Sequence, residues 1–333
     1  MGTVAIAANP ASGRDIRRFI SHATVYSNRE KANIVERIIL GAYQIGNHKI
    51  CMMPDSFGFG YRINKRLAED LLEIPEGIIF TPDLQTMDDQ TDTTHFAEYS
   101  EKEKYDVLVV LGGDGTSRAA ARGVKNIPLI SVSTGTNNIY PDMMEGTIVG
   151  LAAGAAASGK IDVDACSRRS KCLEIYKNGE YADLALVDVV FCDSLYSSSK
   201  AVWERDEVNK IIVTQCHPAS IGFSALPGTQ CVIGAEDDLG VSVDCVAGEP
   251  NVKGAITAGI LSDFRLENRK ILKLGESVPF CMEMPGMLAL DGEKEVSFRR
   301  GDTIEIRLTR NGPKKVDIRE ALVLAQEAGL FRK

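Results

Sequence analysis

At 333 residues the chain is long enough for about two domains, and 44% hydrophobic content supplies apolar residues for two cores. A formal net charge of −8 with 25% charged residues argues against a nucleic-acid-binding face, which needs a basic surplus. No apolar run approaches the roughly 20 residues of a membrane span, and the opening MGTVAIAANPASG lacks the basic start of a secretory signal. Eight cysteines without a CxxC pair, and four scattered histidines, read as reduced core thiols in a cytoplasmic protein rather than a disulfide or zinc framework.

In chain order, TVAIAA is a short apolar strand ending in the loop signal Asn9-Pro10. Apolar spacing at 34, 35, 38, 39 and 42 predicts a helix over 30–46. KICMMP reads as a strand, 63–72 as a helix, GIIFTP as a strand and 93–104 as a helix. DVLVVLGG is continuously apolar, as a strand buried on both faces should be, and a helix over 117–124 and the strand PLISVS follow. This alternation predicts a Rossmann-like parallel sheet with helices on both faces. A helix over 145–158 comes next, and near residue 160 the texture changes. Short β-rich segments from CLEIYKN to TIEIRL, separated by turn pairs such as Asn178-Gly179, Asp291-Gly292 and Asn311-Gly312, predict a β-rich second domain. A last helix over 318–329 closes the chain. The expected division is 1–140 for the α/β nucleotide-phosphate domain, 141–315 for the β-rich domain, and 316–333 for a helix packing back on the first.

The segment that carries chemistry is LVVLGGDGTSRAA at 108–120: a buried strand, then Gly112, Gly113, Asp114, Gly115 and Thr116, then a helix. Glycines permit positive φ and let backbone N–H groups approach a ligand without a Cβ in the way. The helix start that follows offers free N–H donors and a positive dipole end, which suits phosphate. A carboxylate beside phosphates is repelled, so Asp114 needs another role: binding magnesium, taking a proton from a substrate hydroxyl, or capping the helix.

These residues resemble the signature of the superfamily of NAD kinases, diacylglycerol and sphingosine lipid kinases, and 6-phosphofructokinases. Asn9-Pro10-Ala11-Ser12-Gly13 resembles its N-P-x-S-G loop, and Gly135-Thr136-Asn137-Asn138 the lipid-kinase G-T-x-N. Asp291-Gly292-Glu293, with Gly301-Asp302 after it, resembles the stretch near the end of these kinases. Four motifs in the right order span nearly the whole chain. WERDEV and HPASIGFSALPG are similar to the NAD-kinase-like branch typified by acetoin-catabolism protein X.

The resemblance implies an ATP-using, magnesium-dependent kinase with its site between an α/β half and a β-rich half, phosphorylating a hydroxyl of a small-molecule substrate. Asp114 would be the catalytic base. Asn9, Ser12, Gly112, Gly113, Gly115 and Thr116 would hold nucleotide phosphates. Thr136, Asn137, Asn138 and Asp188 would recognise the acceptor, and Asp291 and Glu293 would hold the metal. A homo-oligomer is expected, with neither nucleic acid nor membrane as partner.

Two alternatives stay open. One is NAD kinase proper, against which stands Val187 beside Asp188, where NAD kinases carry an amide before the acid; valine offers no hydrogen bond to a dinucleotide. The other is a non-catalytic nucleotide-binding sensor or accessory protein of a catabolic pathway. Gly154 to Lys160 fits the first seven P-loop positions but is followed by Ile161 and sits in an alanine-rich helix. Gly58-Phe59-Gly60 lacks the third glycine of a dinucleotide fingerprint. His217, Trp203, Asp162 and Asp164 read as turn, packing and solvent-face residues.

Overall fold

The structure, a computed structural model, describes residues 2–10, 12, 26–69, 74–135, 137–192 and 208–332. Its first half runs β1 (Thr3–Ala8), α1 (Asn28–Gly46), β2 (Lys49–Met52), α2 (Phe59–Glu69), β3 (Ile79–Phe80), α3 (Thr91–Lys102), β4 (Val107–Gly112), α4 (Asp114–Gly123), β5 (Leu129–Ser133) and α5 (Gly146–Ala157). Strands β6 (Ser167–Arg169), β7 (Cys172–Lys177), β8 (Glu180–Ala185), β9 (Asp188–Cys192) and β10 (Val208–Val213) follow, then the short helix α6 (Ala225–Gly228). The remainder is β11 (Leu239–Cys245), β12 (Val252–Thr257), β13 (Ile260–Phe264), β14 (Leu266–Lys273), β15 (Ser277–Cys281), β16 (Gly286–Leu290), β17 (Glu293–Phe298), β18 (Thr303–Thr309), β19 (Lys314–Val316) and α7 (Ile318–Glu327).

The first five strands form a parallel sheet in the order β3-β2-β1-β4-β5. Their apolar sequences follow from burial on both faces: every residue of β4 is buried. Chain order reverses between β1 and β4, the switch point beyond whose carboxyl ends open α/β sheets bind ligands. The loops after β1 and β4, Asn9–Ser12 and Gly112–Thr116, both start there.

Helix α1 begins where Ser27 accepts from the Glu30 N–H and ends at Asn47 in the left-handed region. Its buried face packs on α5, whose small residues let the two backbones approach closely. A Cβ at Gly150 would fall 2.2 Å from the Ile38 carbonyl oxygen, and one at Gly154 would fall 2.3 Å from Ile45. Of the two glycines that imitate a P-loop, Gly154 is thus a helix-packing position, and Gly159 lies past the end of α5 at φ 66. Helix α7 packs against α5 in turn, through Ile318 and Ala321 in the same core as Val149, Ala152 and Ala156.

The sheet also takes two strands from far along the chain. β19 pairs parallel with β5, and β6 pairs antiparallel with β19. Together with α5, these pieces pack with the first half although they lie beyond residue 140.

The second half is antiparallel. A six-stranded sheet, β14-β11-β10-β9-β16-β17, faces a four-stranded one, β15-β18-β7-β8, across a core that includes Leu173, Ile175, Phe191, Ile212, Leu288 and Ile306. β12 and β13 form a separate hairpin. Asn178-Gly179 and Asp291-Gly292 make the two-residue turns their sequences predict, with all four φ values positive.

Candidate active site

The glycine loop ends β4 and opens α4. Helix α4 begins at Asp114, three residues before its apolar pattern starts, because Gly113 serves as the N-cap in extended geometry. The first-turn N–H groups therefore point out of the sheet end with no partner inside the helix. Gly112, Gly113 and Gly115 are not among the residues with positive φ, so conformational freedom is not what selects them. Close approach is. A Cβ on Gly112 would sit 2.5 Å from the Thr116 side chain, and one on Gly113 would sit 2.8 Å from Asn138 Oδ1. On Gly115 it would meet Glu293 Oε1 at 2.8 Å. The loop is where Asn138 from one side and Glu293 from the other converge.

Asp114 faces the 137–140 segment. Its Oδ1 accepts from the Ile139 N–H at 3.0 Å and the Tyr140 N–H at 2.8 Å, and Oδ2 lies 3.2 Å from the Ile139 nitrogen. Asn138 Nδ2 donates to Ser133 Oγ at 2.7 Å, and Asn137 Nδ2 reaches Thr257 Oγ1 at 3.4 Å. Asn137 thereby ties the α/β half to the β12–β13 hairpin. Thr136 lies outside the described residues, as do Ala11, Gly13 and Trp203 of the sequence motifs.

The Asn9–Ser12 turn is held from below by a lysine. Lys31, 1% exposed, donates to the carbonyl oxygens of Asn9 at 3.2 Å and Ser12 at 2.6 Å, and to Ser12 Oγ at 2.9 Å. Asn9 Nδ2 donates to the Asp89 carbonyl at 2.7 Å, joining the turn to the segment before α3. Asn9 and Ser12 thus shape the turn with their side chains and leave its backbone at the sheet end.

Behind the loop lies a charge network with no counterpart in the sequence reading. Arg118 on α4 is fully buried. Its Nη1 reaches Asp183 at 3.0 Å and its Nη2 reaches Glu295 at 2.7 Å and Glu293 at 3.3 Å, with Asp291 at 3.9 Å from Nε. Arg122 pairs with Asp183 and lies 3.5 Å from Glu295. Gln90 donates to Glu295 at 2.6 Å. One helix of the α/β half is thereby locked to β8 and β17 of the other half.

Asp291, expected as a metal ligand, is placed differently. Its oxygens accept from the Leu186, Val187 and Asp188 N–H groups at 2.8, 2.7 and 3.0 Å. Burial pushes its carboxyl above the usual range, against the pull of Arg118 and the three amides. Burial would also raise Glu295, but Arg118, Gln90 and Arg122 bring it below the usual range. The Asp188 carbonyl accepts from the Asp291 N–H at 3.0 Å, its own N–H goes to the Asp291 carboxylate, and the residue is 7% exposed. Val187 is 1% exposed and packs in a core with Leu186 and Tyr140.

Magnesium takes one or two protein carboxylates and completes its shell with phosphate and water. Among the described residues, no group of three or more His, Cys, Asp and Glu could hold a metal ion. Glu293, which is exposed on its outer side and touches the glycine loop, has the chemistry of such a single ligand.

The profile of the ATP-NAD kinase N-terminal domain matches residues 61–158, and that of the Acetoin catabolism protein X C-terminal domain matches 171–311. Acetoin catabolism protein X of Cupriavidus necator is 30% identical over 339 residues, covering 99% of this chain and 94% of that protein. The chain belongs to the acetoin catabolism protein X family. Yeast NADH kinase, solved in complex with NADH, superposes with a TM-score of 0.52 at 12% identity, over 100% of this chain and 89% of that one. A diacylglycerol kinase from Bacillus anthracis gives a TM-score of 0.44 at 11% identity, with coverage of 95% and 96%. This acetoin catabolism protein X family member therefore carries an NAD kinase-like fold. Among its described residues, no helix is long and apolar enough to cross a membrane.

Proposed function

We propose that this protein is a kinase that transfers a phosphoryl group from ATP to a hydroxyl of a small polar metabolite, in the cleft between its two halves. One observation carries the reading: the Gly112–Thr116 loop, with Asp114 in it, leaves the same end of the sheet as the Asn9–Ser12 turn, and Asn138 and Glu293 converge on it from two sides. Backbone N–H groups at the start of α4 receive the phosphates. Asp114 positions the acceptor hydroxyl and takes its proton as the oxygen attacks the γ-phosphorus and the bond to the leaving ADP breaks. Asn137 and Asn138 supply amides for acceptor recognition, with Asp188 as a third candidate. Glu293 would hold a magnesium ion here, and the ion would supply charge compensation for the transferring group.

NAD is disfavoured as the acceptor because the side chain at 187 is in the core and cannot meet a dinucleotide. A binding-only reading has one observation in its favour. The Asp114 carboxylate accepts two backbone N–H groups, as a structural clamp would.

Asp114→Asn separates the two. Asparagine keeps an oxygen for both amides, so the loop stays closed, but it cannot take a proton. General-base catalysis is worth roughly 10²–10⁴-fold. Turnover, read first as ATP hydrolysis and then on the acceptor, should fall by about that factor while nucleotide affinity holds. A variant equal to wild type in turnover removes the catalytic reading and leaves the clamp.

A further inference from the structure

On the far side of the 137–140 segment from Asp114 lies a second cleft, of about 660 Å³, at the seam formed by β6, β19 and the start of α7. Its volume is in the range of small-molecule sites. Its lining carries six cationic side chains and four carboxylates, and Asp238 adds a fifth carboxylate against Arg310.

Three of the four carboxylates are already engaged. Glu236 pairs with Arg168, and Asp142 lies 3.0 Å from Lys315. Asp317 caps α7 by accepting from the Arg319 and Glu320 N–H groups at 2.8 and 3.0 Å. The Arg169 guanidinium donates to the carbonyl oxygens of Lys125 and Gly312, and Arg310 pairs with Asp238 through Nε at 2.6 Å and donates to the Glu236 carbonyl at 2.8 Å. Buried Lys171 likewise faces three carbonyls. Burial, and to a lesser degree the neighbouring charge of Arg310, pull its ammonium down to about 8 against the opposing charges of Asp237 and Asp238.

The cleft meets Asp114 through Ile139 and Tyr140, which line it and whose N–H groups the carboxylate holds. Lys315 donates to the Tyr140 carbonyl at 2.6 Å and lies 4.9 Å from the centre of its ring. The Tyr140 hydroxyl is 2.8 Å from Ser170 Oγ, while its N–H is held by Asp114.

We propose that this cleft binds a small dianion, a phosphate ester or a dicarboxylate, through Arg169, Arg310 and Lys315, and that its occupancy is transmitted to Asp114 through Tyr140. Guanidinium forks suit both anion types. The proposal stands whether or not Asp114 is a catalytic base.

The test is calorimetric titration of the full chain, without nucleotide and with EDTA, using pyrophosphate and succinate as probes. Saturable binding of at least one is expected at millimolar concentration or below, and the preferred probe identifies the anion type. Arg169→Ala, at an exposed position, should weaken it about tenfold or more while leaving the melting temperature intact. Hydrogen exchange should slow at 165–171, 310–320 and the Ile139 and Tyr140 amides. Absence of saturable binding by either probe overturns the proposal. So does unchanged affinity in Arg169→Ala, or protection confined to 111–117, which would place the anion on the glycine loop.

Discussion

Replacing Asp291 with asparagine tests whether this residue is a structural keystone or a metal ligand. Asp291 sits at φ 49, in the left-handed region that asparagine tolerates best among residues with a side chain, so the backbone is not disturbed. Asparagine Oδ1 can still accept from Val187 and Asp188, but Nδ2 must then face the Leu186 N–H, now 2.8 Å from an oxygen. A buried N–H left facing a donor costs about 1–3 kcal/mol. Arg118 also loses one of four carboxylates, a smaller effect because Asp183, Glu293 and Glu295 remain. Removing a buried charge whose desolvation opposes ionisation gives some of this back. The smaller loss and the gain roughly offset, leaving about 1–3 kcal/mol, which at roughly 2 °C per kcal/mol for a chain of this size lowers the melting temperature by about 2–6 °C. Urea and thermal unfolding in EDTA measure it. A loss below about 1 kcal/mol, or one seen only when magnesium is present, would refute the keystone argument and return Asp291 to the metal.

Three further outcomes are expected. Mg-ATP should raise the melting temperature, since a ligand at a hundredfold excess over its Kd adds about 2.7 kcal/mol; Gly113→Val, whose side chain drives into Asn138, should abolish the shift in a thermal scan. The purified protein should form no NADP from NAD and ATP in a coupled dehydrogenase assay; robust, saturable formation would mean that the buried side chain at 187 does not govern the acceptor. Glu295→Gln should cost about 1.5–3 kcal/mol at pH 7, the worth of a charge-assisted hydrogen bond. Because the folded protein holds Glu295 below the ordinary value of 4.5, its contribution is present above that pH and lost as pH falls through the lower folded value. Unfolding curves of wild type and variant should therefore converge in acid, and a gap constant down to pH 3 would contradict the assignment.

The switch-point loops were legible because both follow continuously apolar strands and are written in glycine, proline and asparagine, residues with local conformational meaning. The helix starts were harder. Helix α2 begins at Phe59, earlier than its apolar spacing implies, because Asp55 oxygens accept from the Phe59 N–H. Lys31 was in principle visible, as a lysine beside Ala32, Ile34 and Val35 on the buried face of a helix. The Arg118 network was not. Its acids lie 65 to 177 positions away, and only folding brings β8 and β17 to α4. The role of Asp291 was hidden for a related reason: Asp-Gly announces a turn, but not the three amides of the β8–β9 corner that the carboxylate meets.

The three-residue strand β19 has a consequence for how this chain comes to be folded at all. It is inserted between β5 and β6, so the central sheet of the first half cannot be finished until residue 316 has been synthesised. On the ribosome, β1 to β5 and their helices emerge early but keep an open edge at β5 throughout synthesis of the β-rich half. Such an edge invites mispairing, and pairings this remote in sequence form slowly. A fragment ending at 311 would carry every loop of the cleft and still leave β6 detached. Expression fragments, fusions and circular permutants of this family should therefore preserve the last 20 or so residues as part of the first sheet rather than treat them as a tail.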